Sequence, residues 1–309
     1  MTHFQVAPLP GQGSYGALVT GLAPEDIEAP EVRQALHDLW VDKGLVVFRG
    51  IAGGADTQLR LSAIYGEPEV HPMMTGTDIK TEHSALAPIE FDREDGNIYE
   101  IDGELRGGYL PWHFDGAYVD RINHGGILRP EVLPERGGDT GFIDQIAAYD
   151  LLPDRLKARI EGLSVVYSYQ PDFTRAKFGT RVDKLVRMSS LFRQGAGHPS
   201  VQTRAIHPLV YQRAETGKKV LHVSPWFADG IEGMETPEGD ALLAEVIGYV
   251  IRPELMYFHR WQAGDMVLWD NWRMLHCATG IPPDQTRIMR RTTIVGDYGL
   301  GRREAATTV

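Results

Sequence analysis

The sequence predicts a mainly β protein in which a barrel or jelly roll is flanked by a few helices. Short segments rich in β-branched and aromatic residues recur along most of the chain, whereas only three segments have clear helical periodicity. Strands that outnumber helices in this way favour a closed or two-layered β architecture over alternating β and α units.

Three helices are predicted. The first covers 30–42, where a proline precedes apolar residues at helical spacing, and the short buried strand GLVVFRG follows it. The second covers 56–65 and ends before a glycine. The third begins at Pro237 after the capping residue Thr236 and carries an apolar stripe on one face.

The predicted strands share β-branched and aromatic residues bounded by glycine, proline or polar residues. In chain order they are NIYEID, GGILRP, GLSVVYSY, VLHVSPW, ELMYFHRW, DMVLWDN and RRTTIVGD. The segment GQGSYG has the glycine spacing of a dinucleotide-binding turn, but prolines precede it and no helix pattern follows. It is predicted to be an ordinary turn between two strands.

No repeat or polar linker divides the chain, so 1–309 is predicted to be one domain. Residues 75–96 and 171–204 show neither the helical nor the strand periodicity and are predicted to be active-site loops. The second contains seven Lys/Arg against two Asp, which favours an anionic ligand in an otherwise acidic protein. A solvated surface insertion is the alternative for that loop.

Composition narrows the location and the partners. A 42% hydrophobic, 24% charged chain without a long apolar run or a signal-peptide pattern predicts a cytoplasmic protein that does not enter a membrane. One cysteine, Cys277, excludes an internal disulfide. A net charge of -11 argues against nucleic acid, so a small molecule is the expected partner. A homo-oligomer is compatible with the sequence.

The stretch GGYLPWHFDGAYVD contains a candidate metal clamp. His113 and Asp115 are two residues apart, which places both side chains on one face of an extended segment. The pair alone is a weak signal, because a core histidine beside a turn-capping aspartate has the same spacing.

A third ligand must come from elsewhere in the chain. Two histidines and one carboxylate on one face of a metal are typical of non-haem Fe(II) oxygenases. His276, after the predicted strand DMVLWDN, is the first candidate, and His71 is its rival. Cys277 follows His276 directly, so its side chain should point to the opposite side, and we interpret it as packing.

Four motifs then add a resemblance. WHFD, RGGDT, WDNWRMLH and RIMRRTTI, in this order, resemble the taurine dioxygenase and 2,4-dichlorophenoxyacetate dioxygenase family of Fe(II)- and 2-oxoglutarate-dependent enzymes. The likeness runs from ALVTGL through YGEPEVHP to RTTIVG, nearly the whole chain. It implies a double-stranded β-helix, a cupin-like jelly roll, with Fe(II) as cofactor and 2-oxoglutarate and O2 as co-substrates.

By position, the resemblance implies that His113, Asp115 and His276 are the catalytic iron ligands. It also implies that Thr140 and Arg287 hold the distal carboxylate of 2-oxoglutarate. That pair suits the role chemically, because a guanidinium donates two parallel hydrogen bonds to a carboxylate and keeps its charge.

The resemblance further implies that Arg291 holds an anionic group of the substrate and that His71 assists it. The chain departs from the taurine enzyme at the primary-substrate site, where Tyr109 and Met74 replace an asparagine and a tyrosine. These replacements predict a larger and more aromatic substrate pocket, with Tyr109 and Tyr118 as candidates for its wall. Simple packing against strands is the alternative for both residues.

The predicted function is therefore oxidation of a C–H bond of a small carboxylate, sulfonate or related anion, with release of succinate and CO2. A jelly-roll metal-dependent hydrolase or isomerase that does not use 2-oxoglutarate is the alternative. That alternative leaves Thr140 and Arg287 without a role. A binding protein without activity is the third possibility.

Overall fold

The structure, a computed structural model, describes residues 4–12, 14–69, 83–198 and 201–305. Within these ranges β-strands dominate and six α-helices accompany them, so the predicted mainly β class is confirmed. No helix in the described ranges combines the length and the apolar character that crossing a bilayer requires.

The α-helices are α1 Pro30–Lys43, α2 Gly54–Tyr65, α3 Gln145–Leu151, α4 Asp154–Ile160, α5 Ser190–Ala196 and α6 Pro237–Val250. The strands are β1 Gln5–Pro8, β2 Ala17–Thr20, β3 Leu45–Arg49, β4 Pro68–Glu69, β5 Ala87–Phe91, β6 Ile98–Ile101, β7 Glu104–Gly107, β8 Leu110–His113, β9 Gly125–Val132, β10 Thr140–Asp144, β11 Ser164–Tyr167, β12 Lys184–Arg187, β13 Ala205–Pro208, β14 Val210–Gln212, β15 Lys219–Leu221, β16 Ala228–Ile231, β17 Met256–His259, β18 Met266–Asp270, β19 Met274–Ala278, β20 Arg287–Ile294 and β21 Arg302–Arg303. Short 3-10 helices include Pro24–Glu28, Phe173–Arg175 and Pro253–Leu255.

Two sheets position the site. The larger has the order β1-β2-β3-β18-β9-β20-β4, with β5 also paired to β20, and the smaller has the order β17-β10-β19-β8. All neighbours in both sheets are antiparallel except β2 and β3. Smaller sheets of order β16-β11-β13-β21, β12-β6-β7 and β14-β15 complete the β structure.

The space between the two sheets is filled by apolar side chains from both. Val47, Val267 and Met289 of the larger sheet share one buried cluster with Phe142 and Met274 of the smaller sheet. Because side chains alternate along a strand, the other face of the larger sheet is also free to pack.

That other face is covered by helices α1 and α2. Val46 and Phe48 of β3 lie in a second buried cluster with Trp40 of α1 and Leu61 of α2. Full burial on both faces explains why β3 is continuously apolar in sequence.

The predicted helices are confirmed. Helix α1 buries Val32, Leu36 and Trp40 and ends at Gly44, whose φ of 71° favours glycine. The Thr236 side chain accepts a hydrogen bond from the Gly239 amide and so caps α6. The segment GQGSYG lies between antiparallel β1 and β2, which confirms the turn interpretation.

Both segments predicted to be loops contain regular structure. The described part of 75–96 includes β5, which pairs along Arg287 to Arg291 of β20. Within 171–204 lie β12, which pairs with β6, and helix α5.

Candidate metal centre and co-substrate site

Strand pairing brings two histidines together. In the smaller sheet, β8 and β19 are antiparallel neighbours, and His276 lies directly opposite His113. Their ring centroids are 4.2 Å apart, and both residues are buried. The Nδ1 of His113 lies 2.7 Å from the Pro111 carbonyl oxygen, which requires a proton on Nδ1 and leaves the Nε2 lone pair for a metal.

Asp115 completes the cluster. Its Oδ1 lies 3.7 Å from His113 Nε2 and 3.5 Å from His276 Nε2. One ligand atom from each of the three residues lies within 4.8 Å of the other two. Two imidazoles and one carboxylate on one side leave the opposite side of a bound metal open to other ligands.

The charges in the cluster suit metal binding. Burial would raise the pKa of Asp115, but Arg291 and the two histidines outweigh burial and hold that pKa well below its usual range. Burial lowers the pKa of His276 to about 4, although Asp115 opposes the shift. Asp115 is therefore ionised and His276 neutral near pH 7, the forms in which they bind metals.

Arg291 contacts the carboxylate of Asp115 directly. It lies on β20 of the larger sheet, and its Nη2 donates to Asp115 Oδ2 at 2.7 Å, leaving Oδ1 facing the histidines. Its guanidinium stands 5.1 Å from the Trp269 ring, and its Nε is enclosed without a partner among the described residues.

Asn271 fixes the backbone of Asp115, a role that sequence reasoning missed. Its Oδ1 accepts from the Asp115 amide at 2.8 Å, and its Nδ2 donates to the Asp115 carbonyl at 3.0 Å. Asn271 is fully buried in the turn between β18 and β19, five residues before His276. One side chain therefore connects Asp115 to the turn that leads into β19, the strand of His276. In the sequence, the polar residues of WDN were the feature that could have pointed to this role.

Replacing Asn271 by alanine is expected to weaken Fe(II) binding by about tenfold to a hundredfold, because Asp115 loses both bonds that orient its backbone. Equilibrium dialysis of Fe(II) under anaerobic conditions measures this. Asn97→Ala is the matched control, since it removes an asparagine bond to the Ser189 amide away from the cluster. An unchanged affinity in Asn271→Ala would limit Asn271 to a role in folding.

Arg287 carries a charge that the described residues do not neutralise. Its Nη2 donates to Thr140 Oγ1 at 3.4 Å, its Nε is enclosed without a partner, and no described carboxylate lies within ion-pair distance. Burial lowers its pKa to about 10, with Asp139 opposing. The side chain is half-buried overall with its Nε enclosed, so its charge is partly desolvated and has no carboxylate within ion-pair distance among the described residues.

Glycines keep space beside Arg287. A cavity of about 40 Å³ adjoins its side chain and is lined in part by Gly107, Gly138 and Gly280. A Cβ at Gly138, where φ is 78°, would lie 3.1 Å from Arg287 Cδ. A larger residue at this position would therefore push against the guanidinium stem.

Aromatic rings form a wall next to His113. The Trp226 ring contacts the His113 ring edge-on at 5.0 Å, and Phe227 lies 6.1 Å from it. Tyr118 packs on Phe227 at 4.9 Å, and burial together with the Asp115 charge raises its pKa to about 12. Trp226 and Phe227 could not be predicted as part of this wall, because SPWF lies far from His113 and Asp115 in the sequence and has no motif in common with them.

The remaining predicted positions have different outcomes. Tyr109 is buried, and its ring centroid lies 6.4 Å from that of Phe173. Cys277 is buried next to Gly141, the strand position opposite it on β10. His71 and Met74 lie outside the described residues.

Comparison with known proteins decides the family. Residues 5–293 match the taurine catabolism dioxygenase TauD, TfdA family. The chain belongs to this family. It is 32% identical to an (S)-phenoxypropionate/alpha-ketoglutarate-dioxygenase of Sphingobium herbicidovorans, over 95% of this chain and 96% of that protein. It is 30% identical to an alpha-ketoglutarate-dependent sulfate ester dioxygenase of Pseudomonas putida, over 94% and 90%.

The fold has solved counterparts among the family's structures. A taurine dioxygenase from Burkholderia xenovorans superposes with a TM-score of 0.73 and 26% identity, covering 99% of this chain and 96% of the other. The predicted jelly roll and the predicted enzyme class, a 2-oxoglutarate-dependent dioxygenase, are thereby confirmed. Enzymes of this family use Fe(II), 2-oxoglutarate and O2.

Proposed function

We propose that the protein oxidises a C–H bond of a small anionic substrate, with iron held by His113, Asp115 and His276. The observation that carries this proposal is the assembled ligand cluster, and an enclosed, unneutralised Arg287 supports it. When bound, iron and 2-oxoglutarate supply the oxidising chemistry, and succinate and CO2 are released. A hydrolase with the same three ligands would leave Arg287 without a partner.

The protein's own groups position the co-substrate. Arg287 and Thr140 come from opposite sheets, β20 and β10, and their side chains meet at 3.4 Å. A distal carboxylate at this point would neutralise the guanidinium and accept from both residues. The keto acid end would be left for iron held by His113, Asp115 and His276.

The primary substrate is proposed to be an anion held by Arg291. Nη2 of Arg291 donates to Asp115, and Nε has no partner among the described residues, so the contact with Asp115 does not use all the donors of this guanidinium. The aromatic wall of Trp226, Phe227 and Tyr118 supports an apolar or aromatic body on that anion. The assisting role of His71 stays a prediction.

The segment 171–204 is proposed to cover the substrate side of the site. Phe192 of α5 stacks against Trp226, with ring centroids 6.4 Å apart, and Trp226 contacts His113. Phe173 also packs on Trp226 at 4.6 Å. These contacts support the predicted active-site loop, because they join the segment to a metal ligand through one ring.

A screen of succinate release tests the function. Anaerobically reconstituted Fe(II) protein is mixed with 2-oxoglutarate, O2 and a panel of small carboxylates, sulfonates, sulfate esters and aryloxy acids. Substrate-stimulated succinate with oxidised product is the expected result. No succinate above the metal-free control for any compound, with 2-oxoglutarate shown not to bind, would overturn the proposal.

Arg291→Ala is expected to lower the product formed per succinate several-fold for an acid identified in this screen. The reason is that the anion loses its positioning donor, while a neutral amide of the same acid loses nothing electrostatic. The ratio of oxidised product to succinate is measured for both compounds. Arg291→Lys, which keeps the charge, should retain part of the coupling. If the acid gives the same ratio of product to succinate in wild type and Arg291→Ala, Arg291 acts only on Asp115 and does not hold the substrate anion.

A further inference from the structure

The Thr140 hydroxyl has a second donor that the proposed function does not use. The indole Nε1 of Trp261 donates to Thr140 Oγ1 at 3.0 Å, and Arg287 Nη2 approaches the same oxygen at 3.4 Å. Among the described residues, no acceptor lies within hydrogen-bond distance of this hydroxyl's own proton. The Thr140 hydroxyl therefore accepts two hydrogen bonds from the protein, and its own proton is left for a bound ligand.

The direction of these bonds cannot be reversed. An indole nitrogen and a guanidinium can only donate, whereas a hydroxyl has one proton and two lone pairs. With both lone pairs of Thr140 occupied, its remaining proton must point at a third group. That group has to be an acceptor, and an ionised carboxylate offers only acceptors.

We propose that Trp261 is a positioning residue for the co-substrate, because it turns Thr140 into a fixed donor for a distal carboxylate. This inference rests on the proposed function of Thr140 and Arg287. It adds a chemical consequence: the site discriminates between a 2-oxo acid that ends in a carboxylate and one that ends in a methyl group. Part of this discrimination depends on the indole N–H of Trp261.

The surroundings of Trp261 fix its orientation. Its ring stands edge-on to His259 at 4.6 Å, with an interplanar angle of 87°. His259 is fully buried and is the cross-strand neighbour of Thr140. Its Nε2 lies 3.1 Å from a carboxylate oxygen of buried Asp265, which also pairs with Arg49. Trp261 itself lies in the connection after β17, and its ring packs against His259, the last residue of that strand.

The test is a double-mutant cycle on co-substrate binding. Dissociation constants of 2-oxoglutarate and of 2-oxovalerate, which has a methyl group in place of the distal carboxylate, are measured calorimetrically with anaerobic Fe(II) protein. Trp261→Phe keeps a ring and removes the N–H. It is expected to weaken 2-oxoglutarate binding roughly threefold to tenfold, the loss of one hydrogen bond, and to leave 2-oxovalerate unchanged.

In a Thr140→Val background, Trp261→Phe should have no further effect, because the hydroxyl that it orients is gone. Trp40→Phe is the matched control, since Trp40 belongs to α1, in a different buried cluster, and its Nε1 is buried without a partner among the described residues. It should leave both dissociation constants unchanged.

Two results would overturn the inference: an unchanged 2-oxoglutarate affinity in Trp261→Phe, or an equal loss in the presence and absence of the Thr140 hydroxyl. Either result leaves the proposed function standing if Arg287→Ala still weakens 2-oxoglutarate. Failure of the wild type to bind 2-oxoglutarate would instead remove the proposed function itself.

Discussion

Replacing His276 by alanine is expected to reduce Fe(II)-dependent turnover by roughly a thousandfold or more, because two remaining ligands cannot hold the metal in a defined geometry. Fe(II) affinity, measured by anaerobic equilibrium dialysis, should fall in parallel. The fold should persist, since β19 keeps its pairing with both β8 and β10.

His37→Ala is the control for this experiment, because His37 is a half-exposed histidine on α1 outside the cluster. It should retain wild-type turnover and metal affinity. Full Fe(II)-dependent activity in His276→Ala would reject His276 as a ligand and would make His71, the rival candidate, the residue to replace next.

Arg287→Ala is expected to weaken 2-oxoglutarate binding by roughly thirtyfold to several thousandfold. Losing the charged partner of a buried carboxylate costs on the order of 2 to 5 kcal/mol, much of it from leaving that carboxylate unpaired. The dissociation constant of 2-oxoglutarate for the anaerobic Fe(II) protein gives the result directly.

Arg290 offers a matched control on the same strand. It points to the other face of β20, where it pairs with Glu90 and Glu131 at 2.7 and 2.8 Å. Arg290→Ala should therefore leave 2-oxoglutarate affinity unchanged. If both variants bind 2-oxoglutarate as the wild type does, the co-substrate carboxylate is held elsewhere and the enclosed charge of Arg287 needs another explanation.

Local chemistry explains which elements could be predicted. Helix α1 and helix α6 begin at proline after a non-helical residue, and both carry a continuous apolar stripe, so their signals are contained within one segment. The metal pair His113 and Asp115 is also local. Its third member is not local: His276 was a candidate beside its rival His71, and the resemblance carried by the four ordered motifs implied the choice between them.

The elements that were missed depend on distant partners. Strand β5 contains Pro88 and Glu90 and shows no alternation, and its structure comes from pairing with β20 nearly 200 residues later. Helix α5 has no fully buried residue, so it lacks an amphipathic pattern. Asn271 and Trp261 form hydrogen bonds to residues far away in the sequence, Asp115 and Thr140, and such bonds leave no periodic pattern in the sequence.

Strand β20 carries Arg287 and Arg291, four residues apart, on its inner face. Arg290 lies on its outer face. Inserting or deleting one residue between the two inner arginines would turn one of them toward α2 while the other kept its place. Substitutions on the outer face have no such effect. One insertion or deletion in this strand would therefore separate the two guanidinium groups, whereas an exchange of side chains would leave their alignment unchanged.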